Sequence, residues 1–198
     1  MGLKESIVFG LNMMLGQTTL HVVNSMPRHS TKFAKKYFDN KEVEIVEVGV
    51  FDGRNLINIF KMLNVKKGYA IEPYIKYSKD IEHGFDGAED RARKRLKGSN
   101  VKWIKKISDN AINDIPMVDF IYIDGLHTYE QVKKDIKNYW NKVKVGGILA
   151  GHDITEALHN YGVSRAVMEF SNENNLKVNI SPTDWWIIKE AIIKQSFA

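Results

Sequence analysis

From residue 43 onward the chain alternates short, β-branched apolar runs with longer amphipathic runs, and this alternation constrains the fold more than any other feature. Short runs of this kind predict buried strands, and the amphipathic runs between them predict helices that cross over from one strand to the next. Repeated units of this type build an α/β fold, a parallel sheet with helices on both faces. The predicted strands cover 43–48, 69–71, 101–104, 118–123, 147–150, 177–180 and 185–188. The predicted helices cover 54–63, 89–96, 128–143 and 163–172.

The clearest of these helices is 128–143, where apolar residues recur at spacings of three and four. Thr128 is placed to cap its N-terminus, since a threonine hydroxyl can accept a hydrogen bond from the first turn. Gly146 and Gly147 are expected to end this helix and to form a tight turn that leads into the next strand.

The length and the uninterrupted alternation predict one compact domain rather than two. The chain has 198 residues, and no Pro/Gly/Ser-rich linker, low-complexity tract or repeat divides the series. Residues 41–198 are predicted to form the domain. Residues 1–40 are predicted to be an N-terminal helical segment that serves as a lid over a site or as a contact between copies in a homo-oligomer.

Composition excludes several classes of protein. The chain has no cysteine, which excludes thiol nucleophiles, disulfides and cysteine-ligated metals, and gives no reason to expect secretion. The apolar stretch 7–23 is interrupted by polar residues and glycines, and no small-residue cleavage site follows it, so neither a membrane span nor a signal peptide is predicted. We therefore expect a cytoplasmic protein without a membrane partner.

The loop after the first predicted strand, 47–53, lies where doubly wound folds bind nucleotide-like cofactors. Gly49 and Gly53 allow close backbone approach to a ligand, and Phe51 lies between them. The second glycine of the dinucleotide fingerprint is missing, and Glu47 precedes Gly49 by two residues. A carboxylate there would repel a pyrophosphate and attract the amino group of a methionine moiety. The loop therefore favours S-adenosylmethionine over NAD.

Two further acidic positions follow predicted strands. Glu72 ends the second strand, where a carboxylate can accept hydrogen bonds from both ribose hydroxyls. Ser108 and Asp109 follow the third, where a carboxylate and a backbone N–H can address the edge of adenine. Their order along the chain makes them candidate cofactor-binding residues.

Acids and histidines follow the fourth and fifth predicted strands. Asp124 ends one, and His152 and Asp153 end the next. Because adjacent parallel strands lie about 4.8 Å apart, these side chains can converge on one ion. Mg²⁺ prefers oxygen ligands, whereas imidazole suits Mn²⁺, Fe²⁺ or Zn²⁺ better, so His152 is either a ligand or a hydrogen-bonding partner of one.

His127 follows Asp124 by three residues. The ordinary pKa of histidine lies near neutrality, which suits a general base that removes a hydroxyl proton. The alternative is that His127 caps the helix that begins at Thr128.

A basic run lies at 91–97, with Arg91, Arg93, Lys94, Arg95 and Lys97. Such runs are typical of a solvated helix face, and the alternative is contact with phosphate or nucleic acid. The formal net charge of +5 is too small to favour nucleic acid by itself.

Together, segments 47–53, 70–73, 122–129, 146–153 and 162–170 resemble class I S-adenosylmethionine-dependent methyltransferases. More narrowly, they resemble the metal-dependent small-molecule O-methyltransferase branch that includes macrocin O-methyltransferase. The resemblance extends from about residue 43 to the C-terminus.

The resemblance implies a Rossmann-like, doubly wound sheet of seven mostly parallel strands with an antiparallel last strand. It implies that Glu72 holds the ribose, that Ser108 and Asp109 lie near adenine, and that Asp124 lies between the cofactor and the metal. It also implies that His127 is the base. Relatives often carry an acid at the position of His152, so the chain departs from the pattern at its metal site.

The function predicted from these features is methyl transfer from S-adenosylmethionine to a hydroxyl oxygen of a small hydroxylated molecule, assisted by Mg²⁺ or another divalent cation. One alternative is an RNA methyltransferase that uses the basic run 91–97. Another is an S-adenosylmethionine-binding protein without catalysis, which the set Asp124, His127 and Asp153 disfavours.

Overall fold

A computed structural model of the protein describes residues 27–75, 86–155 and 162–191, which form one sheet and its flanking helices. The strands are β1 (Glu42–Val48), β2 (Asn64–Ile71), β3 (Val101–Ile104), β4 (Val118–Ile123), β5 (Val143–Gly151), β6 (Asn179–Ser181) and β7 (Asp184–Ile188). The α-helices are α1 (His29–Phe38), α2 (Arg54–Met62), α3 (Ala88–Arg95), α4 (Ser108–Ala111), α5 (Tyr129–Trp140) and α6 (Gly162–Glu173). A short 3₁₀-helix follows α4 at Ile112–Asp114.

The seven strands lie in the order β3-β2-β1-β4-β5-β7-β6. The first five are parallel to their neighbours, whereas β7 runs antiparallel to both β5 and β6. The Rossmann-like sheet with an antiparallel last strand is thereby confirmed. The order reverses between β1 and β4, and in open α/β sheets a ligand crevice lies outside the carboxyl ends of the strands at such a point.

The helices cover both faces of the sheet, as the two-residue period of β4 illustrates. Ile121 and Ile123 point to the core beneath α5 and α6. Phe120 and Tyr122 point to the opposite core beneath α1, α2 and α3. All six residues of β4 are buried, which explains why its sequence is an almost continuous apolar run.

The helix predicted at 128–143 is shorter at its end than predicted. It ends at Trp140, and Val143 instead begins β5, fully buried opposite Val118. The two glycines also differ from the prediction, because they lie inside β5 at a register irregularity and do not form a turn before it. Gly146 has a φ of +77°, and a Cβ on Gly147 would lie 2.7 Å from the carbonyl oxygen of Asp119. The strand therefore needs glycine there to pass close to β4.

β2 and α4 are among the other elements that differ from the prediction. β2 begins at Asn64, five residues before the predicted start, because its ladder with β1 continues through polar residues whose side chains are exposed or half-buried. The short helix α4 was not predicted, since its four residues, Ser108–Ala111, carry too little periodicity to signal a helix.

Helix α1 lies within the N-terminal segment and is attached to β7. Oδ2 of Asp184, a fully buried residue, accepts hydrogen bonds from the backbone N of Ser30 at 2.9 Å and from its Oγ at 2.7 Å. The rings of Phe33 and Trp186 pack at 5.1 Å between centroids. Residues 1–26 lie outside the described residues, so a lid or a contact between copies stays a prediction. Within the described ranges, no helix combines the length and the apolar character that crossing a membrane requires.

Candidate functional site

A cavity of about 420 Å³ opens at the carboxyl edge of the sheet, where β1 and β4 are neighbours. Its wall is formed by the loops that follow β1, β2 and β4 and by the start of α4 and α5. Most of the residues that the sequence singled out line it: Gly49, Phe51, Glu72, Ser108, Asp109, Asp124 and His127. Four lie outside this lining: Glu47, Gly53, His152 and Asp153.

Gly49 brings two loops of the cavity wall into backbone contact. Its φ is +86°, and a Cβ added to it would lie 2.0 Å from the carbonyl oxygen of Asp124. Beside it, the backbone N of Asp124 donates to the carbonyl oxygen of Val48 at 2.8 Å. Only glycine fits here, and the approach fixes Asp124 at the cavity.

Glu72 organises the loops on either side of it. Oε2 accepts a hydrogen bond from the backbone N of Phe51 at 3.1 Å, and Oε1 accepts one from the backbone N of Tyr74 at 3.3 Å. Burial raises the pKa of Glu72, while these two hydrogen bonds lower it. Each oxygen retains a further lone pair, so the carboxylate can still accept from two ligand hydroxyls.

The far end of the cavity is formed by α4 and α5. Gln131 of α5, which sequence reasoning missed, connects the two helices there. Nε2 of Gln131 lies 3.1 Å from Oγ of Ser108, 3.3 Å from Oδ1 of Asp109 and 3.0 Å from Oδ1 of Asp135. The sequence signal was available, because Gln131 lies in the first turn of the helix that Thr128 caps. Burial raises the pKa of Asp135 to about 6, and hydrogen bonds from Ser108 and Gln131 oppose the shift.

Glu47 and Gly53 lie behind the cavity wall. Glu47 is 1% exposed, and its Oε1 accepts a hydrogen bond from Nδ2 of Asn55 at 2.9 Å. Burial raises its pKa well above the ordinary carboxyl range, and it lies outside the cavity lining, whereas the sequence predicted a carboxylate that attracts the amino group of a methionine moiety. A Cβ on Gly53 would lie 3.0 Å from Cα of Ala92, so this glycine allows α2 to begin close against α3.

The predicted acids and histidines converge beside the cavity. Asp124, His152 and Asp153 each offer a ligand atom within 4.8 Å of the others, the one such cluster among the described residues. Nε2 of His127 lies 3.1 Å from Oδ2 of Asp153 and 3.4 Å from Oδ1 of Asp124. Nδ1 of His152 lies 2.6 Å from Oδ1 of Asp153.

Strand register explains this convergence. Ile123 of β4 pairs with Gly151 of β5, so the residues that follow each strand leave the sheet side by side. Asp153 adopts a φ of +59°, a left-handed conformation that is uncommon for residues other than glycine and that is often found at functional sites. The hydroxyl of Thr128 accepts a hydrogen bond from the backbone N of Gln131 at 3.4 Å, so Thr128 caps α5 as predicted. His127 points instead to the two carboxylates.

Arg28 is a second residue that sequence reasoning missed. It precedes α1 and reaches across to the cluster, with Nη1 2.5 Å from Nε2 of His152 and Nη2 4.0 Å from Oδ2 of Asp124. No local pattern signals this role, because Arg28 and His152 are 124 residues apart in the chain.

The site therefore combines two chemical regions that share Asp124. One is an apolar cavity with a buried carboxylate, suited to a nucleoside with free ribose hydroxyls. The other is a set of two carboxylates and an imidazole, which matches the ligands of Mn²⁺ or Fe²⁺ and, through the carboxylates, of Mg²⁺. A second imidazole, that of His127, lies within reach of both carboxylates and can accept a proton.

Comparison with known proteins gives a family match over the site. A family model described as a methyltransferase domain matches residues 46–154. An uncharacterised protein of Acanthamoeba polyphaga mimivirus is 29% identical over 127 residues. The match covers 59% of this chain and 53% of the viral protein, so the chain spans about half the length of this curated relative.

Solved structures share the fold at low sequence identity. The O-methyltransferase from Bacillus cereus, in complex with S-adenosylhomocysteine, matches with a TM-score of 0.60 and 13% identity over 93% of this chain and 90% of that one. The O-methyltransferase NovP matches with 0.59 and 14% over 82% and 80%. MycE, a methyltransferase of mycinamycin biosynthesis in complex with Mg, S-adenosylhomocysteine and mycinamycin VI, matches with 0.59 and 12% over 86% and 50%. At these identities the likeness is one of fold.

Proposed function

The chain belongs to the methyltransferase-domain family, as a class I S-adenosylmethionine-dependent member, and from this premise we propose that it methylates a hydroxyl oxygen of a small molecule. One observation carries the proposal: Asp124 belongs both to the wall of the cavity and to the cluster with His152 and Asp153. A methyl donor in the cavity would therefore lie next to groups that can activate an acceptor hydroxyl.

The cofactor role is proposed for residues on the cavity wall. Glu72 would accept hydrogen bonds from the ribose hydroxyls, and Ser108 and Asp109 would lie at the edge of adenine. Because Gly49 has no Cβ, the loop that carries Asp124 can approach it closely. When bound, S-adenosylmethionine supplies the methyl group on a positively charged sulfur.

The acceptor role is proposed for the cluster beside Asp124. His127 would remove the proton of the acceptor hydroxyl, and Asp153, at 3.1 Å from its Nε2, would stabilise the imidazolium that results. Asp124, His152 and Asp153 would hold a divalent cation, which when bound lowers the pKa of an acceptor hydroxyl. Holding the acceptor oxygen in line with the methyl group would supply much of the rate acceleration.

An oxygen acceptor is favoured by the presence of this cluster. A neutral hydroxyl is a weak nucleophile until it loses its proton, and a base with two neighbouring carboxylates meets that need. The likeness of fold to the O-methyltransferase from Bacillus cereus and to the O-methyltransferase NovP supports this choice by analogy.

The RNA methyltransferase alternative loses support from the contacts of the basic run. Arg93 pairs with Glu89 at 2.9 Å and lies over the ring of Trp103, and Arg95 bridges to Asp52 at 3.1 Å. The contacts with Trp103 and Asp52 hold α3 against its neighbours, so two of the five basic side chains serve the fold. We therefore propose small-molecule substrates without nucleic acid.

The proposed function is tested by supplying methyl-labelled S-adenosylmethionine and a panel of catechols, sugars and macrolides, with total RNA as a separate substrate. We expect S-adenosylhomocysteine to form together with a methyl ether on a small molecule, detected by mass spectrometry and NMR. Label transferred to RNA, or to nitrogen in place of oxygen, would contradict the proposal. A variant with the exposed Lys94 and Lys97 both changed to glutamine should transfer methyl groups at the wild-type rate.

A further inference from the structure

We infer that Arg28 is the resident cation of the Asp124, His152 and Asp153 cluster, and that a divalent cation must displace its guanidinium to bind there. The inference deepens the proposed function and rests on it only in taking the cluster as a cation site. It predicts that Arg28 weakens the affinity of the protein for divalent cations.

The contacts of His152 carry the first step. An arginine side chain has only N–H donors and no acceptor, so the contact of 2.5 Å between Nη1 of Arg28 and Nε2 of His152 requires Nε2 to be the acceptor. Nδ1 of the same ring then carries the proton and donates to Oδ1 of Asp153 at 2.6 Å. The one lone pair that a neutral imidazole could give a metal is therefore used by Arg28.

Charge carries the second step. Arg28 is permanently cationic, and its Nη2 lies 4.0 Å from Oδ2 of Asp124, one of the two carboxylates that a metal would use. A divalent cation in the cluster would lie within a few ångströms of this positive charge, with little water between them, because the Arg28 side chain is only 26% exposed. The repulsion between them opposes metal binding for as long as the guanidinium stays.

The anchoring of Arg28 carries the third step. The two residues that follow it are attached to the β6–β7 hairpin: Nδ1 of His29 lies 2.9 Å from Oγ of Ser181, and Ser30 donates twice to Asp184. The backbone that carries Arg28 is therefore held beside the cluster. The positive charge of its guanidinium offsets the negative charges of Asp124 and Asp153. A bound metal has to take over that role from the guanidinium.

The test measures Mn²⁺ binding to the full chain without cofactor or acceptor, by electron paramagnetic resonance and calorimetry. Arg28→Met keeps the bulk of the side chain and removes its charge, and we expect it to bind Mn²⁺ about tenfold more tightly than wild type, or tighter still. Arg28→Lys keeps the charge and should stay near wild type. Adding Asp153→Asn to Arg28→Met should abolish the gain, which assigns it to this cluster.

A matched control is Arg54→Met. Arg54 is also partly exposed, at 28%, and pairs with the buried Asp52 at 2.9 Å, but it lies on α2 and takes no part in the cluster. Its substitution should leave Mn²⁺ affinity unchanged. Should Arg28→Met fail to fold, Arg28→Gln serves as the second neutral variant, and S-adenosylhomocysteine affinity reports the integrity of each protein.

Unchanged or weaker Mn²⁺ binding by a folded neutral variant would overturn the inference, as would the absence of Mn²⁺ binding from every variant. The proposed function fails separately. If Arg28→Met gains affinity while the wild type methylates no hydroxyl, the inference stands without the function. If methylation depends on a metal but Arg28→Met gains nothing, the function stands without the inference.

Discussion

Nε2 of His127 lies 3.1 Å from Oδ2 of Asp153, although the two residues leave different strands of the sheet. An imidazole beside a carboxylate is oriented by it and becomes a better proton acceptor, because the imidazolium formed is stabilised. The same carboxylate belongs to the candidate metal cluster, so Asp153 would contact both the base and the metal.

Substitution of His127 by alanine should lower the rate of methyl transfer about 10²–10⁴-fold, the usual contribution of a positioned general base. Binding of S-adenosylhomocysteine and Mn²⁺ should be nearly unchanged, since His127 is not among the three proposed ligands. High pH should partly restore the rate, because hydroxide can then remove the acceptor proton. A rate equal to wild type at neutral pH would exclude His127 as the base.

Substitution of Asp153 by asparagine should act differently, lowering both Mn²⁺ affinity and turnover while cofactor affinity is preserved. High pH should restore less of the rate than it does for His127→Ala, because hydroxide can remove a proton but cannot replace a bound cation that positions the acceptor. The measurements are Mn²⁺ titration and the pH profile of the rate, alongside a chelator titration of the wild type. Full activity in excess chelator would contradict the metal role.

Glu72 should discriminate cofactors by their ribose hydroxyls. Glu72→Ala should weaken S-adenosylhomocysteine binding, since each hydrogen bond to a charged acceptor is worth about 1.5–3 kcal/mol. The variant also loses the contacts to Phe51 and Tyr74, so a 3′-deoxy analogue is needed as the control. By calorimetry, the analogue should bind more weakly than the parent to wild type but equally to the variant. An equal penalty in both proteins would remove Glu72 from the ribose site.

Gly49 and Gly98 can be compared to measure how much an added Cβ lowers the free energy of unfolding. Their φ angles are +86° and +87°, but a Cβ on Gly98 would meet no atom within 4 Å, whereas one on Gly49 would meet the carbonyl of Asp124 at 2.0 Å. Gly98→Ala should therefore cost about 1–2 kcal/mol of unfolding free energy, the strain of the left-handed backbone alone. Gly49→Ala should cost clearly more in urea unfolding and lose cofactor affinity. Similar costs for both variants would contradict the backbone contact.

Asp135 should make stability depend on pH. Its pKa is raised to about 6 from an ordinary value of 3.8, so the folded state holds the proton more tightly than the unfolded chain does. The resulting stabilisation is fully present below the unfolded pKa and is lost as pH rises through the folded one. Between pH 4.5 and 7.5 the loss is about 2 kcal/mol.

The check on Asp135 is urea unfolding of wild type and Asp135→Asn at the two pH values. Asparagine does not titrate, so the variant should gain about 2 kcal/mol relative to wild type as the pH rises across this range. A difference between the two proteins that does not change with pH would show that the carboxyl is not the group responsible.

The sequence was sufficient for elements whose signals are local. β3 and β4 have the predicted bounds, because each is a short β-branched run between polar or turn-forming residues. The assignment of Val143 to a helix was wrong. Val143 continues the apolar spacing of α5, but it is buried because it lies in β5, where it pairs with Val118. Periodicity cannot tell which partner buries a side chain.

The candidate site divides in the same way. Asp124, His127 and Asp153 were available from the sequence because each follows a strand whose end lies at the same edge of the sheet. Arg28 was not, since nothing near it indicates that α1 is attached to β7. Its position depends on contacts between segments far apart in the chain.

The two hydrogen bonds from Ser30 to Asp184 also determine which fragments of this protein can fold on their own. In a fragment that began at residue 41, Asp184 would lose both hydrogen bonds from Ser30 and keep the one that the hydroxyl of Tyr122 donates at 3.2 Å. A buried carboxylate deprived of its partners is costly, and such a fragment would also expose Trp186. Expression boundaries should therefore lie upstream of Arg28, even when only the sheet and its cavity are wanted.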